Sequence, residues 1–183
     1  MKHIEKLSKK VLGEILPDLF DNCIVTPQKK LDRYRIDFYV ETPKNNFWIE
    51  FDGPTHFTNT KTQLRDIRVN TMIKSLGETI VRIPYFVQLC PSSIYYFFSG
   101  KANETIYSEY ESGFIDPKCI LPADFNQYGW DIFMNLYSDM IRKDCSSISR
   151  EIFENARRMY TKDQFLGISD RAGMNQFWDI FPT

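Results

Sequence analysis

Asp37, Glu50, Asp52 and His56 are the residues whose types and spacing could do chemistry. They lie in "RIDFYV" and "NFWIEFDGPTHF", where two carboxylates stand one residue apart, a Gly53-Pro54 turn follows, and one of the chain's two histidines comes next. Side chains alternate along a strand, so Glu50 and Asp52 share a face. Like charges on one patch repel, and a divalent cation is an economical compensator. Carboxylate oxygens suit Mg2+, which keeps several waters and takes one or two carboxylates together with substrate phosphate oxygens. An ion so held can turn bound water into a nucleophile and stabilise a phosphoryl transition state, which is the chemistry of phosphodiester hydrolysis. Each feature alone also has an ordinary reading: acids alternate on solvated strand faces, Gly-Pro ends strands, and a lone histidine is commonly a hydrogen-bonded surface residue.

The elements that must position these groups can be read from periodicity. Residues 4–20 set Ile4, Leu7, Val11, Leu12, Ile15, Leu16 and Leu19 on one helical stripe ending near Pro17 or shortly after, with Glu14 at its edge beside Leu7. Residues 34–41 and 47–52 alternate as two strands, and the loop at 42–45 between them predicts an antiparallel hairpin. If Ile36 and Phe38 share the core face with Ile49 and Phe51, Asp37 shares the other face with Glu50 and Asp52, and Asp37 falls opposite Glu50. Next, Leu64, Ile67, Met72, Ile73 and Leu76 mark a helix closed by Gly77, and "ETIVRIPYF" is an apolar strand halted at Pro84. Strand, helix, strand is a crossover unit that predicts a parallel neighbour and a mixed sheet. Periodicity over the first 86 residues therefore reads α-β-β-α-β. Residues 87–129 read as turns and short pieces, and helices are expected near 130–143 and around Ile148 to Met159.

In order and spacing, "RIDFYV", "NFWIEFDGPTHF" and "LRDIRVNTMIKSLGETIVRIP" together resemble the core of the PD-(D/E)XK nuclease superfamily. The similar branch has an Asp, then E-x-D-G-x-x-H, then a helix and a strand ending in V-x-R-I/F; it includes mismatch-repair-type and restriction endonucleases and the RNA-directed RAP domain. The resemblance spans about residues 8–86. It implies an α/β (α+β) fold with a restriction-endonuclease-like αβββαβ core and a mixed sheet, extended by C-terminal helices. It also implies a Mg2+-dependent endodeoxyribonuclease using one or two ions. Carried onto this chain, Asp37 and Glu50 match the metal-binding acids, Phe51 lends a backbone carbonyl, and Glu14 resembles the helix glutamate that many members bring to the metal. Asp52 departs from the pattern, since the superfamily usually keeps a lysine there to position water and support the phosphate. Another group must then supply positive charge: His56 as water-orienting group, general base or phosphate contact, or Arg68 and Arg82 as phosphate contacts, both of which also read as surface ion pairs. Asp52 could bind a second metal or hold the His56 tautomer.

Length and composition set the outer bounds. The chain has 183 residues, 43% hydrophobic and 26% charged, which suits one globular domain over 1–183, with the nuclease core in 1–90 and a helical extension in 91–183 that covers the core or docks a partner. No apolar run approaches the roughly 18 residues of a membrane span, and a cytoplasmic protein is expected. Cys23, Cys90, Cys119 and Cys145 form no C-x-x-C pair, so neither zinc nor a disulfide framework is indicated. The net charge of −1 argues against a strong free-standing grip on double-stranded DNA. The acidic centre at 36–56, one lysine against four acids, sits between two flanks of net positive charge. This size and layout also resemble the small catalytic subunits of heterodimeric type IIS restriction enzymes, in which a larger subunit reads the site. The competing reading is a RAP-like RNA-binding or RNA-processing module with a degenerate nuclease core, although the helical repeats that usually precede such domains are absent from this sequence.

Overall fold

The computed structural model of the chain describes residues 7–103, 125–129, 131–133 and 135. In chain order the elements are α1 (Lys9–Leu19), β1 (Ile24–Leu31), β2 (Tyr34–Glu41), β3 (Asn46–Asp52), the single turn α2 (Thr55–Thr58), α3 (Thr60–Ser75), β4 (Thr79–Pro84) and α4 (Pro91–Phe98). The strands form one mixed four-stranded sheet in the order β1-β2-β3-β4. The first three are antiparallel neighbours, and β4 runs parallel to β3 after the helical crossover. Among the described residues no helix is long and apolar enough to cross a membrane.

Both faces of the sheet are covered, which decides where the acids can lie. Ser8 caps α1, its hydroxyl accepting from the Val11 amide at 3.2 Å. The buried Leu12, Ile15, Leu16 and Leu19 pack on Phe38, Val40, Phe47, Ile49, Val81 and Ile83. Pro17 lies inside α1. Its ring removes one donor, and the helix continues only to Leu19. Gly13 allows the close approach of helix and sheet, because a Cβ there would stand 2.8 Å from the Phe38 ring.

On the opposite face α3 packs Val69 and Ile73 against Leu31, Ile36, Tyr39 and Trp48. Two expectations are corrected here. The buried positions of α3 are Gln63, Asp66, Val69 and Ile73, whereas Leu64, Ile67 and Leu76 are 48%, 43% and 58% exposed. The helix turns a polar row inward because its N-terminal half lies over the acidic end of the sheet. Ile36 likewise packs with Tyr39 and Trp48, not on the face of Phe38. The strand is irregular at this point: the β1/β2 register skips the 28/37 pair, and Gln28 has φ 52°. Gly77, at φ 73°, ends α3 as expected.

Periodicity did not reveal β1 or α4. β1 is a mostly exposed edge strand interrupted by Pro27, so its alternation is weak. α4 falls in the stretch expected to be turns; Pro91 opens it and Ile94 and Phe98 are buried. Residues 127–129 and 131–133 are helical and Phe133 is buried, at the start of the helix expected near 130–143. The remainder of that helix, the one expected around Ile148 to Met159, the aromatic residues Phe165, Phe177, Trp178 and Phe181, and Cys119 and Cys145 lie outside the described residues, as does Ile4.

This short segment braces α2. Phe57 is buried and stacks on Phe125 with centroids 4.9 Å apart, and it also meets Phe86 at 5.5 Å. Burying such a ring contributes about 1.5–3 kcal/mol. Asn126 donates its amide to the Phe57 carbonyl at 3.2 Å, and its side chain exchanges two hydrogen bonds with Gln63 of α3 at 2.8 and 2.9 Å. Gly129 lies so close that a Cβ would stand 1.8 Å from the Phe57 carbonyl oxygen. Gly129→Ala is therefore expected to destabilise the protein by roughly 1–3 kcal/mol, read as a lower urea midpoint. An unchanged midpoint would show that the segment does not contribute to folding stability.

Candidate functional site

The site begins where the β2/β3 ladder stops. Pairing runs from Glu41 opposite Asn46 to Phe38 opposite Ile49, a register that when continued sets Asp37 opposite Glu50. There the Phe51 amide donates to Asp37 Oδ2 at 3.1 Å, so a side chain takes the place of the main-chain partner. Asp37 Oδ1 accepts from Gln28 Nε2 at 3.3 Å and pairs with Lys9 of α1. Asp37, Glu50 and Asp52 are 7%, 3% and 5% exposed, so the acidic face read as a strand surface is interior.

Buried carboxylates need compensation, and beside Lys9 on Asp37 it comes here from two arginines. The parallel register places Glu50 beside Arg82. Arg82 Nη1 donates to Asp52 Oδ1 at 2.6 Å, Nη2 to Asp66 Oδ1 at 3.0 Å and Nε to Asn70 Oδ1 at 3.0 Å. Burial opposes the charge of Arg82, but the carboxylates of Asp52 and Asp66 outweigh it and raise its pKa above the ordinary arginine value. Arg65 Nη2 donates to Glu50 Oε1 at 2.9 Å and to the Arg35 carbonyl at 3.2 Å, and its Nη1 donates to Asp66 Oδ1 at 3.1 Å. Burial pushes the Glu50 carboxyl up, and the charge of Asp37 pushes it further, against Arg65 and Arg82.

The Gly53-Pro54 turn swings His56 back over the sheet. The His56 and Phe57 amides donate to the Gly53 and Pro54 carbonyls at 3.1 and 3.0 Å. His56 Nδ1 then lies 2.6 Å from Asp66 Oδ2 and 3.4 Å from Asp52 Oδ1. An ionised carboxylate only accepts, so Nδ1 is the donor to Asp66 and, in the neutral ring, Nε2 carries the lone pair. Asp66, not Asp52, is thus the group that holds the tautomer.

Burial opposes protonation of His56, yet the Asp66 hydrogen bond and the charges of Asp52 and Asp66 outweigh it and raise its pKa above 6.5. Burial also pushes the Asp66 carboxyl up, but the His56 hydrogen bond and the charges of Arg82, His56 and Arg65 hold it below 3.8. A histidine with a raised folded pKa adds stability that is complete below its unfolded pKa and is lost as pH rises through the folded one; the depressed aspartate adds stability present above its unfolded pKa and lost as pH falls through the folded one. The melting midpoint is therefore expected to fall as pH is raised from about 6 to about 9, and His56→Gln should flatten that fall. An equal fall in the variant would place the titration elsewhere.

Asp37, Glu50, Asp52, His56 and Arg82 are brought together by these contacts. Glu14 is not part of them: its side chain is 62% exposed and pairs with Lys10 at 3.8 Å, one turn back on α1. Its position at the edge of the apolar stripe left it pointing to solvent. Arg68 is exposed on α3 beside the Tyr34 hydroxyl. Arg65 and Asp66 were missed in the sequence. Their signal was the polar row Gln63, Asp66, Asn70, spaced by three and four and sharing a helix face with Val69 and Ile73.

Among the described residues no group of three or more His, Cys, Asp or Glu side chains is placed to hold a metal ion. Asp37, whose Oδ2 accepts from the amide of the residue after Glu50, and the buried Glu50 offer two sets of carboxylate oxygens at one end of the ladder, a donor set of the kind that suits an ion taking two carboxylates and otherwise water or phosphate oxygens. Lys9 and Arg65 neutralise that pair here. No family model, no curated protein and no solved structure matches this chain.

Proposed function

We propose that the protein is a Mg2+-dependent endonuclease that hydrolyses DNA phosphodiester bonds, a member of the PD-(D/E)XK superfamily acting as the cleavage subunit of a restriction system. The observation that carries this reading is the buried Asp37–Glu50 pair at the broken end of the β2/β3 ladder, linked through Arg65 and Asp66 to a histidine of defined tautomer. Asp37 and Glu50 would hold the ion. Bound Mg2+ would supply Lewis-acid stabilisation of the phosphoryl oxygens. His56 Nε2 takes a proton from the attacking water as its oxygen forms the new bond to phosphorus and the P–O bond to the leaving strand breaks. Asp66 orients His56, and Arg82 keeps Asp66 and Asp52 in place while adding the positive charge that Asp52 cannot supply. With a net charge of −1, site recognition is assigned to a larger DNA-reading or nicking subunit.

The RAP-like alternative, an RNA-binding or RNA-processing module with a degenerate nuclease core, is favoured by one observation: each buried acid already has a protein cation or donor as partner. Plasmid DNA and RNA incubated with the protein in Mg2+ or chelator, alone and with any co-encoded larger protein, separate the two. Chelator-sensitive DNA cleavage supports the nuclease. RNA binding without cleavage supports the module, and inactivity towards DNA in every arm removes the first reading.

A further inference from the structure

Among the described residues, three cations at the acidic end of the sheet are held differently. Arg82 is anchored by three partners and only 13% of its side chain is exposed. Lys9 is a half-exposed ammonium whose described ion pair is with Asp37. Arg65 lies between these, with 31% of its side chain exposed and one contact, to Glu50 Oε1, that occupies a proposed metal ligand. Its other contacts, to Asp66 Oδ1 and the Arg35 carbonyl, do not involve Glu50, and its guanidinium carbon stands 5.9 Å from the Tyr34 ring centroid. Arg65 can therefore release Glu50 without leaving its charge without a partner.

We propose that Arg65 is a tethered counter-cation that a divalent ion must displace from Glu50, so that this arginine sets the metal affinity of the site. The proposal rests on the nuclease reading and deepens it. Two cations competing for one buried carboxylate repel each other strongly at low dielectric, so the ion binds against the Arg65–Glu50 pair. Arg65 is a positioning residue here: it keeps the buried carboxylate compensated until metal arrives, and a purely structural arginine would not oppose metal.

The test is Mn2+ binding, followed by electron paramagnetic resonance of the free ion, on the full chain and its variants. Arg65→Gln is expected to bind Mn2+ more tightly by on the order of tenfold, and Arg65→Lys, which keeps a charge but loses the forked geometry, to fall between it and the wild type. Melting curves establish that both variants are folded, and the lysine variant carries the test if the glutamine variant is not. Unchanged or weaker binding in the folded variants overturns the proposal, because Arg65 would then coexist with the ion or orient its ligand. Glu50→Gln separates the two levels. If the wild type binds Mn2+ and Glu50→Gln abolishes it, the metal site stands whatever Arg65 does; if neither the wild type nor any Arg65 variant binds Mn2+, both the site and the proposal fail.

Discussion

Replacing Glu50 by Gln is expected to lower the proposed Mg2+-dependent cleavage by about a thousandfold or more, since several kcal/mol of transition-state stabilisation by the ion would go with the proposed ligand and each 1.36 kcal/mol is tenfold in rate. The substitution keeps side-chain shape and leaves a carbonyl oxygen for Arg65 Nη2 to donate to. It also removes one of two like charges whose proximity raises the Glu50 pKa. Arg65 is partly solvated and keeps Asp66 as a partner. The stability change should therefore stay within about 1 kcal/mol. Asp37→Asn should lose activity equally but fold less well. Its two oxygens both accept, one from the Phe51 amide and the other from Gln28 and Lys9. An amide offers only one acceptor, so a buried donor loses its partner at a cost of about 1–3 kcal/mol. Single-turnover cleavage beside urea denaturation reads both effects, and activity surviving in folded Glu50→Gln would end the metal-site reading.

The largest loss of stability is expected at Arg82. Arg82→Gln removes the cation shared by Asp52 and Asp66, which are 5% and 9% exposed, and leaves two carboxylates facing each other, Asp52 with only His56 beside it and Asp66 with His56 and the partly solvated Arg65 among the described residues. Breaking a buried ion pair from one side costs about 3–5 kcal/mol, because the remaining charge stays desolvated. Adding Asp52→Asn to Arg82→Gln should recover part of that cost, and the recovery measures the pairwise coupling. The lysine usual at the position of Asp52 in the superfamily proposed for this chain would not substitute here. Asp52→Lys sets two cations where the structure has an ion pair 2.6 Å long, and it should destabilise at least as much as Arg82→Gln. Urea midpoints of these three variants and of Asp52→Asn alone test the set; a fully stable Arg82→Gln would mean that the network is solvated and not structural.

The network explains why Asp52 looked anomalous as an isolated letter. Read along β3, an acid in place of a lysine is a missing positive charge; across the sheet, Arg82 on the parallel neighbour donates to Asp52 and Arg65 from the covering helix donates to Glu50. The same shift in view accounts for α3. Its exposed Leu64 and Ile67 dominated the apolar pattern, while the face that packs on the sheet carries Gln63 and Asp66, because a helix lying over buried acids must present polar groups there.

Local pattern by itself determined the hairpin and its register, the parallel β4 after a helix capped by Gly77, the apolar stripe of α1, and the grouping of Asp37, Glu50, Asp52 and His56. These follow from alternation, turn residues and chain connectivity, all of which act between near neighbours in sequence. Burial of the acids, the pairing of each with a cation from another element, the choice of Asp66 over Asp52 as partner of His56, and the exposure of Glu14 were decided only by tertiary packing. β1 and α4 also depended on it: an edge strand and a two-turn helix carry too little periodicity to announce themselves, and are stabilised by what they pack against. A carboxylate's chemistry depends on which charges stand within a few ångströms of it, and those charges come from residues up to 30 positions away in the chain, as Arg82 is from Asp52.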